Sequence, residues 1–270
     1  MKLCEFDPEK RAVINPSDVC DAVPDMLKVA VCCYSHVTFE RLVSDTGADV
    51  KIAESSNANM ELPIYKAMYN GHEIALFMVP IGAPASAAML EDVYAMGAET
   101  VIVFGTCGVL DASVEDCSVI IPKSAVRDEG TSCHYAPPSD EIAVNEKYFE
   151  LFVTLLRRLG VSYTAGKVWT TDAIYRETPA KVQRRREEGC ICVDMECSAN
   201  AALAKFRKKE LVQFFYAADN LDSEKWDARS LGNHAMLEEK DKIAALAMEL
   251  AGMRDCCAAL RTEFGKQAPH

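Results

Sequence analysis

Short runs of β-branched and apolar residues alternate with longer segments of helical period along most of the chain. That is the pattern of an α/β fold rather than an all-β or α+β one. Val29–Cys33, Glu73–Val79, Val101–Phe104, Ser118–Ile121, Gly166–Thr170, Cys190–Val193 and Gln213–Ala217 read as strands. Most are apolar at nearly every position, as expected of central strands covered on both faces. Between them, Ala85–Met96 is rich in Ala, Leu and Met and stops at Gly97, while Asn145–Leu159 places Phe149, Phe152, Val153 and Leu156 close to one stripe before Gly160. A glycine directly after a helical run is a stop signal. Glu196–Lys208 and Met236–Arg254 complete the long helices, and Asp128–Asp140, with a glycine, two prolines and serine, reads as a long loop where function is to be sought.

The 270 residues are 50% hydrophobic and 26% charged, enough for one sizeable core. No repeat, low-complexity tract or linker divides them, so the expectation is a single domain over residues 1–270, with 1–27 as an N-terminal extension. The formal charge of −12 disfavours nucleic acid and anionic membrane surfaces as partners. No uncharged apolar run approaches the roughly 18 to 20 residues that span a bilayer, and the first residues are charged, so the protein is expected to be soluble and cytoplasmic. Twelve cysteines change this picture little. Cys32-Cys33 and Cys256-Cys257 are adjacent and Cys190 and Cys192 are one residue apart; no CxxC recurs with a second pair or with HxxxH, so no metal site is expected and buried thiols are. The basic run Lys181–Arg186 is followed by Glu187 and Glu188 and reads as a solvated, locally balanced helix face.

Chemistry is expected at three strand tips. Gly105-Thr106-Cys107-Gly108 follows Val101–Phe104, at the carboxyl end of a buried strand where open α/β sheets bind ligands. Small residues there admit an anion or sugar oxygen to the backbone, and Thr106 adds a hydroxyl; a tight turn is the plain alternative. Asp194 and Glu196 stand where a second strand passes into a helix, and if the strand alternates they face the same way. One is accounted for by helix capping, and a carboxylate aimed out of a strand end suits two neighbouring sugar hydroxyls. Asp219 follows a third strand, where it is either a general acid with a raised pKa or the cap of an Asx turn.

Taken in order, IGAPASAAMLEDVYAMGAETVIVFGTCGVL, IIPKSAVRDEGTSCHYAPP, WTTDAIYRET, VDMECSANAALA and YAADNLD resemble the nucleoside phosphorylase superfamily, which contains purine nucleoside phosphorylases, uridine phosphorylases and methylthioadenosine nucleosidases. The resemblance runs from about Val29 to Asp222, and AVRDEGTSCHYAPP is nearest the uridine phosphorylase branch. It implies a central mixed sheet flanked by helices and cleavage of a nucleoside's N-glycosidic bond. By the same resemblance Thr106, with Gly105, binds phosphate, Glu196 holds the ribose 2′- and 3′-hydroxyls, Met195 lies under the sugar, Ile174 and Tyr175 line the base pocket, and Asp219 acts on N7 of the leaving base. It further implies a homodimer or larger homo-oligomer, with His134 or Tyr135 contributing to the neighbour's site, and no cofactor beyond inorganic phosphate as co-substrate.

The chain also departs from the pattern. Tyr34, Ser35, His36 and Thr38 replace the GDPxR turn after the first strand, and Val103 replaces an arginine three residues before Thr106. Two cationic phosphate ligands are therefore missing. Arg127, Arg176 or a neighbouring subunit's arginine takes their place, or the acceptor is water. The Gln/Arg pair that reads uracil is also not visible in YRETPAKVQ, so a purine is favoured, and a binding protein without turnover is the contrasting class.

Overall fold

The computed structural model describes residues 5–222 and 225–265, with side chains through Met253; Cys256-Cys257 lies outside the described side chains. The predicted strands form as β1 (Val29–Cys33), β4 (His72–Met78), β5 (Thr100–Val109), β6 (Val119–Asp128), β8 (Tyr163–Thr171), β9 (Cys190–Asp194) and β10 (Glu210–Asn220). Three more complete the sheet: β2 (Val50–Asn57), β3 (Met60–Tyr69) and the short β7 (Glu141–Ala143). Their mixed polar and apolar composition hides them in the sequence, because β2 is an edge strand with most positions exposed or half-buried. The helices are α1 (Pro16–Val19), α2 (His36–Thr46), α3 (Ala83–Met96), α4 (Ser132–Tyr135), α5 (Phe149–Leu159), α6 (Pro179–Glu187), α7 (Cys197–Arg207) and α8 (Leu237–Gly265).

The result is a mixed α/β fold in which a ten-stranded sheet is flanked by helices. β1 pairs in parallel with β4 and β5, and β10 joins β5 in parallel along its length. β5 therefore has three partners. Short antiparallel pairings, Gly108 with Val193 and Phe215 with Ile120, bring in β9 and β6, and β8 joins those two, so β5, β10, β6, β8 and β9 close into a ring. The sheet continues outward from β5 through β1, β4, β3 and β2.

Residue alternation sets the two faces. Val31, Cys33, Ile102, Phe104 and Phe214 pack with Ile243, Leu246 and Leu250 of α8 and with Phe152 and Leu156 of α5. Ala30, Cys32, Phe77, Val101 and Val103 pack with Leu90 and Val93 of α3 and Leu203 of α7. Both faces being covered explains the continuous apolar strands. The cysteines at 32, 33, 107, 190, 192 and 197 are buried thiols whose ionisation burial pushes upward.

Most of the sheet's strands and α8 run longer than expected, and two further boundaries differ for local reasons. Helix α5 starts at Phe149 rather than Asn145, because Asn145 sits at φ +57° with its amide donating to the carbonyls of Pro122 and Gln213 and accepting from the Gln213 N–H. The long loop is shortened by β6 running through Asp128 and by the single turn α4. The basic run in α6 is balanced locally through Arg185 on Glu188, but Lys181 and Arg185 also reach Asp128 and Arg186 reaches Asp222, so the run ties α6 to other segments rather than forming a simply solvated face.

Candidate active site

Gly105-Thr106-Cys107-Gly108 is not a turn. It lies inside β5, where Thr106 is paired with Tyr216 and Gly108 with both Asp219 and Val193. The glycines are there because other side chains need the space. A Cβ on Gly105 would stand 2.6 Å from Cδ2 of Tyr34, and one on Gly108 would stand 2.4 Å from Cδ1 of Leu221 and 3.1 Å from Oδ1 of Asp219. Tyr34 is held by a closed set of hydrogen bonds. Ser86 gives its proton to Asn200 Oδ1 (2.9 Å), Asn200 Nδ2 donates to the Tyr34 oxygen (3.0 Å), and Tyr34 is thus left to donate to Ser86 Oγ (3.3 Å). Val103 is fully buried under α3, so the position lacking its expected arginine does not face the cleft.

Asp194 and Glu196 part company at the end of β9, contrary to the expectation that they face the same way. Asp194 is turned into the start of α7: its carboxylate accepts from Thr170 Oγ1 (2.8 Å) and from the backbone N–H groups of Glu196 (2.8 Å) and Cys197 (2.6 Å). These bonds occupy it as a helix cap, so it is not available to a sugar. Burial pushes its pKa up to about 6 against the pull of the same bonds. Glu196 turns the other way, and its Oε1 accepts the N–H of Gly82 (2.6 Å) at the start of α3. Gly82 has φ +101°, a conformation that favours glycine. Burial first, and then the charge of Asp194, lift Glu196 to about 8, while the Gly82 and Met195 N–H groups oppose the rise. Met195 is half-buried between the two carboxylates.

Asp219 lies within β10 and not past its end. The pairing with β5 shifts between Ala217 and Asp219, a bulge that leaves Asp219 half-exposed among buried neighbours. The Asx turn expected of it is made by Asn220 instead, whose Oδ1 accepts the Asp222 N–H (2.8 Å). Asp219 Oδ2 accepts from the indole N–H of Trp226 (2.8 Å). Trp226 is brought back by a bridge between Asn220 and Asp227, with backbone bonds of 2.8 and 3.2 Å. A second carboxyl, Glu177, follows the 3₁₀ turn Ile174–Arg176 and is half-buried. Burial and then the Asp219 charge raise it to about 7, with Lys181 acting the other way.

Other expected site residues are not brought in. The Arg127 guanidinium is spent on its own loop, donating to Ser132 Oγ (2.8 Å), the Pro137 carbonyl (2.6 Å) and Ser139 Oγ (2.9 Å), so it does not replace a phosphate arginine within this chain. His134 is exposed on α4. Ile174 and Tyr175 are 48% and 95% exposed, so the 3₁₀ turn that carries them stands off the sheet and makes no pocket wall by itself. Gly82 and Trp226, which bond to Glu196 and Asp219, were not legible in the sequence because each reaches its carboxyl from a loop or turn, whereas Tyr34 stands where the GDPxR turn is replaced. A groove of about 530 Å³ near Arg11, Tyr94 and Arg207 lies elsewhere, and Arg207 there is already paired with Glu91.

Among curated relatives, a guanosine phosphorylase of Halorubrum lacusprofundi is 26% identical over 147 residues, covering 54% of this chain and 61% of the relative. A uridine phosphorylase of Thermococcus kodakarensis is 31% identical over 115 residues, 43% of this chain and 42% of the relative. The chain thus spans less than two thirds of the length of either. Among solved structures, a uridine phosphorylase of Vibrio fischeri superposes with a TM-score of 0.74 over 90% of this chain and 99% of the other at 21% identity. A Toxoplasma gondii purine nucleoside phosphorylase in complex with immucillin-H superposes with a TM-score of 0.70 over 86% and 93% at 21% identity, and both likenesses are of fold. The sequence profile described as Phosphorylase superfamily matches residues 28–253, and the chain belongs to that family.

Proposed function

We propose that this protein is a pentosyltransferase that cleaves the N-glycosidic bond of a nucleoside, a purine nucleoside by preference, with inorganic phosphate as the acceptor and no further cofactor. The carrying observation is the placement of two carboxyls across one stretch of β5: Glu196 beyond the end of β9 and Asp219 on the bulge of β10, with Gly108 between those strands. Breaking the bond leaves positive charge on the sugar and an electron pair on the base. A carboxylate accepting the ribose hydroxyls acts on the first, and an acid at a ring nitrogen of the base acts on the second. Thr106, half-buried on β5, is the hydroxyl offered to the acceptor.

Water is the second reading for the acceptor. It is favoured by Val103 lying in the core, by Arg127 being spent on its loop, and by the Tyr34 ring lying against Gly105. A phosphate dianion then needs a cation from a neighbouring copy, which fits the homo-oligomer expected of this chain. Purine and pyrimidine nucleosides assayed with and without phosphate test the proposal: phosphate-dependent release of base supports it, equal rates in both buffers leave hydrolysis, and no cleavage of any nucleoside leaves a binding protein. Asp219→Asn should cost roughly 10² to 10⁴ in rate on a nucleoside with a poor leaving base. A nucleoside whose base leaves as a stable anion should be cleaved almost as before.

A further inference from the structure

Both oxygens of Asp219 have a defined place. Oδ2 accepts the indole N–H of Trp226 at 2.8 Å, and Oδ1 stands 3.1 Å from where a Gly108 side chain would begin, next to Cδ1 of Leu221 and Cγ1 of Val193. Gly108 and Thr106 are two residues apart in β5, so the space left by the missing side chain opens on the face that carries the Thr106 hydroxyl. Oδ1 is therefore the oxygen turned to that face. Trp226 is largely exposed, and such a side chain is ordinarily free to turn, but the segment that carries it is tied down on both sides. Asp227 bridges to Asn220 of β10, while Arg229 donates to the Val114 carbonyl (2.9 Å) and Ser230 to Asp116 Oδ1, both in the connection between β5 and β6. An indole left mostly in water gains little from packing, so what this anchored segment delivers to the site is the N–H.

We propose that Trp226 is a positioning residue for the leaving base: its N–H holds the Asp219 carboxyl by Oδ2, so that Oδ1 is the oxygen that meets a ring nitrogen of the base. The inference rests on the functional reading above. An indole can only donate, so the proton that Asp219 supplies is carried on Oδ1. As the C–N bond breaks, its electron pair goes to the base nitrogen and the Oδ1 proton follows, leaving Asp219 a carboxylate. The proton that the acceptor, hydrogen phosphate or water, releases on bonding to the sugar restores the acid. Gly108 is part of the arrangement, since a side chain there would press on Oδ1.

The test compares wild type, Trp226→Phe, Asp219→Ala and the double variant on the purine nucleoside that wild type cleaves fastest and on p-nitrophenyl riboside, whose leaving group needs no proton. Phenylalanine keeps an aromatic ring and removes the donor. For Trp226→Phe, kcat on the purine nucleoside should fall about 5- to 20-fold with KM within about threefold, while p-nitrophenyl riboside is cleaved within about twofold of the wild-type rate. In the Asp219→Ala background the same substitution should change neither rate by more than about twofold, because it acts only through Asp219. Equal losses on both substrates, or losses that add in the double variant, overturn the inference while a base-dependent loss in Asp219→Asn leaves the functional reading standing. Absence of cleavage by wild type, or an Asp219→Asn loss indifferent to the base, overturns both. Should Trp226→Phe not fold, fluorescence serves. Trp169, the other tryptophan, is fully buried, so the emission that acrylamide quenches belongs to Trp226; it must shift in Asp219→Ala, and an unshifted emission overturns the inference.

Discussion

At Glu196, burial and bonding pull in opposite directions. The carboxyl is nearly covered and stands near Asp194, which favours its neutral form; the Gly82 and Met195 N–H groups favour the anion, and burial wins. An unfolded glutamate ionises near 4.5, whereas this one holds its proton to about 8. Between those values the folded chain binds more protons than the unfolded one, so Glu196 contributes stability that is complete below about pH 4.5 and is lost as pH rises through about 8. Asp194, raised to about 6, and Glu177, raised to about 7, work in the same direction. The melting temperature should therefore fall between pH 5 and pH 8.5, and Glu196→Gln should flatten part of that fall while slowing turnover with every base. A melting curve of unchanged slope in the variant would show that the proton is not held at Glu196. That two carboxylates meet at this strand end was legible from Asp194-Met195-Glu196, but their turning apart was not. Alternation predicts a shared face, and the chain turns into α7 before the alternation can apply.

At the scale of elements, β5 shows most plainly what the sequence conceals. Its apolar run ends at Phe104, and glycines at 105 and 108 read as the end of a strand, since glycine weakens strand interiors. The strand nevertheless continues to Val109, because β10 pairs with it along its whole length and β9 closes on its tip. The glycines mark close approach and not a turn. Gly105 is the sharper case: the atom it would meet belongs to an aromatic ring whose hydroxyl is tied to Ser86 and Asn200, so the ring has little freedom to withdraw. Gly105→Ala should destabilise the protein by about 1 to 3 kcal/mol in denaturant unfolding, the range for overpacking a filled core. Adding Tyr34→Ala should return part of that loss relative to Tyr34→Ala alone. If Gly105→Ala proved neutral, Tyr34 would not be held against β5 in solution. The long helices α3 and α5 were more legible, because their apolar residues and the glycines at 97 and 160 are local signals, while α2 was not read. The β2–β3 hairpin was not, since an edge with one solvated face carries no continuous apolar run.

For the whole molecule, the closed ring removes free edges from five of the ten strands, and several exposed apolar side chains stand on segments that border the candidate carboxyls. Ile81 is 66% exposed beside Gly82, the donor to Glu196; Trp226 is 63% exposed while bonded to Asp219; Tyr175, two residues before Glu177, is 95% exposed. These side chains belong to separate segments, and exposed apolar groups around a site suit a covering partner. A second copy of the chain, bringing a cation to Thr106, answers both that exposure and the burial of Val103 and engagement of Arg127 within one chain. Sedimentation at micromolar concentration should accordingly give at least a dimer. Tyr175→Glu should weaken association and activity together, whereas Leu159→Glu, at the end of α5 before β8 begins and so away from the strand tips, should spare both. A monomer with full phosphorolytic activity would mean that one chain completes the site alone, and the cation would then have to be sought in Arg176 on the exposed turn beside Tyr175.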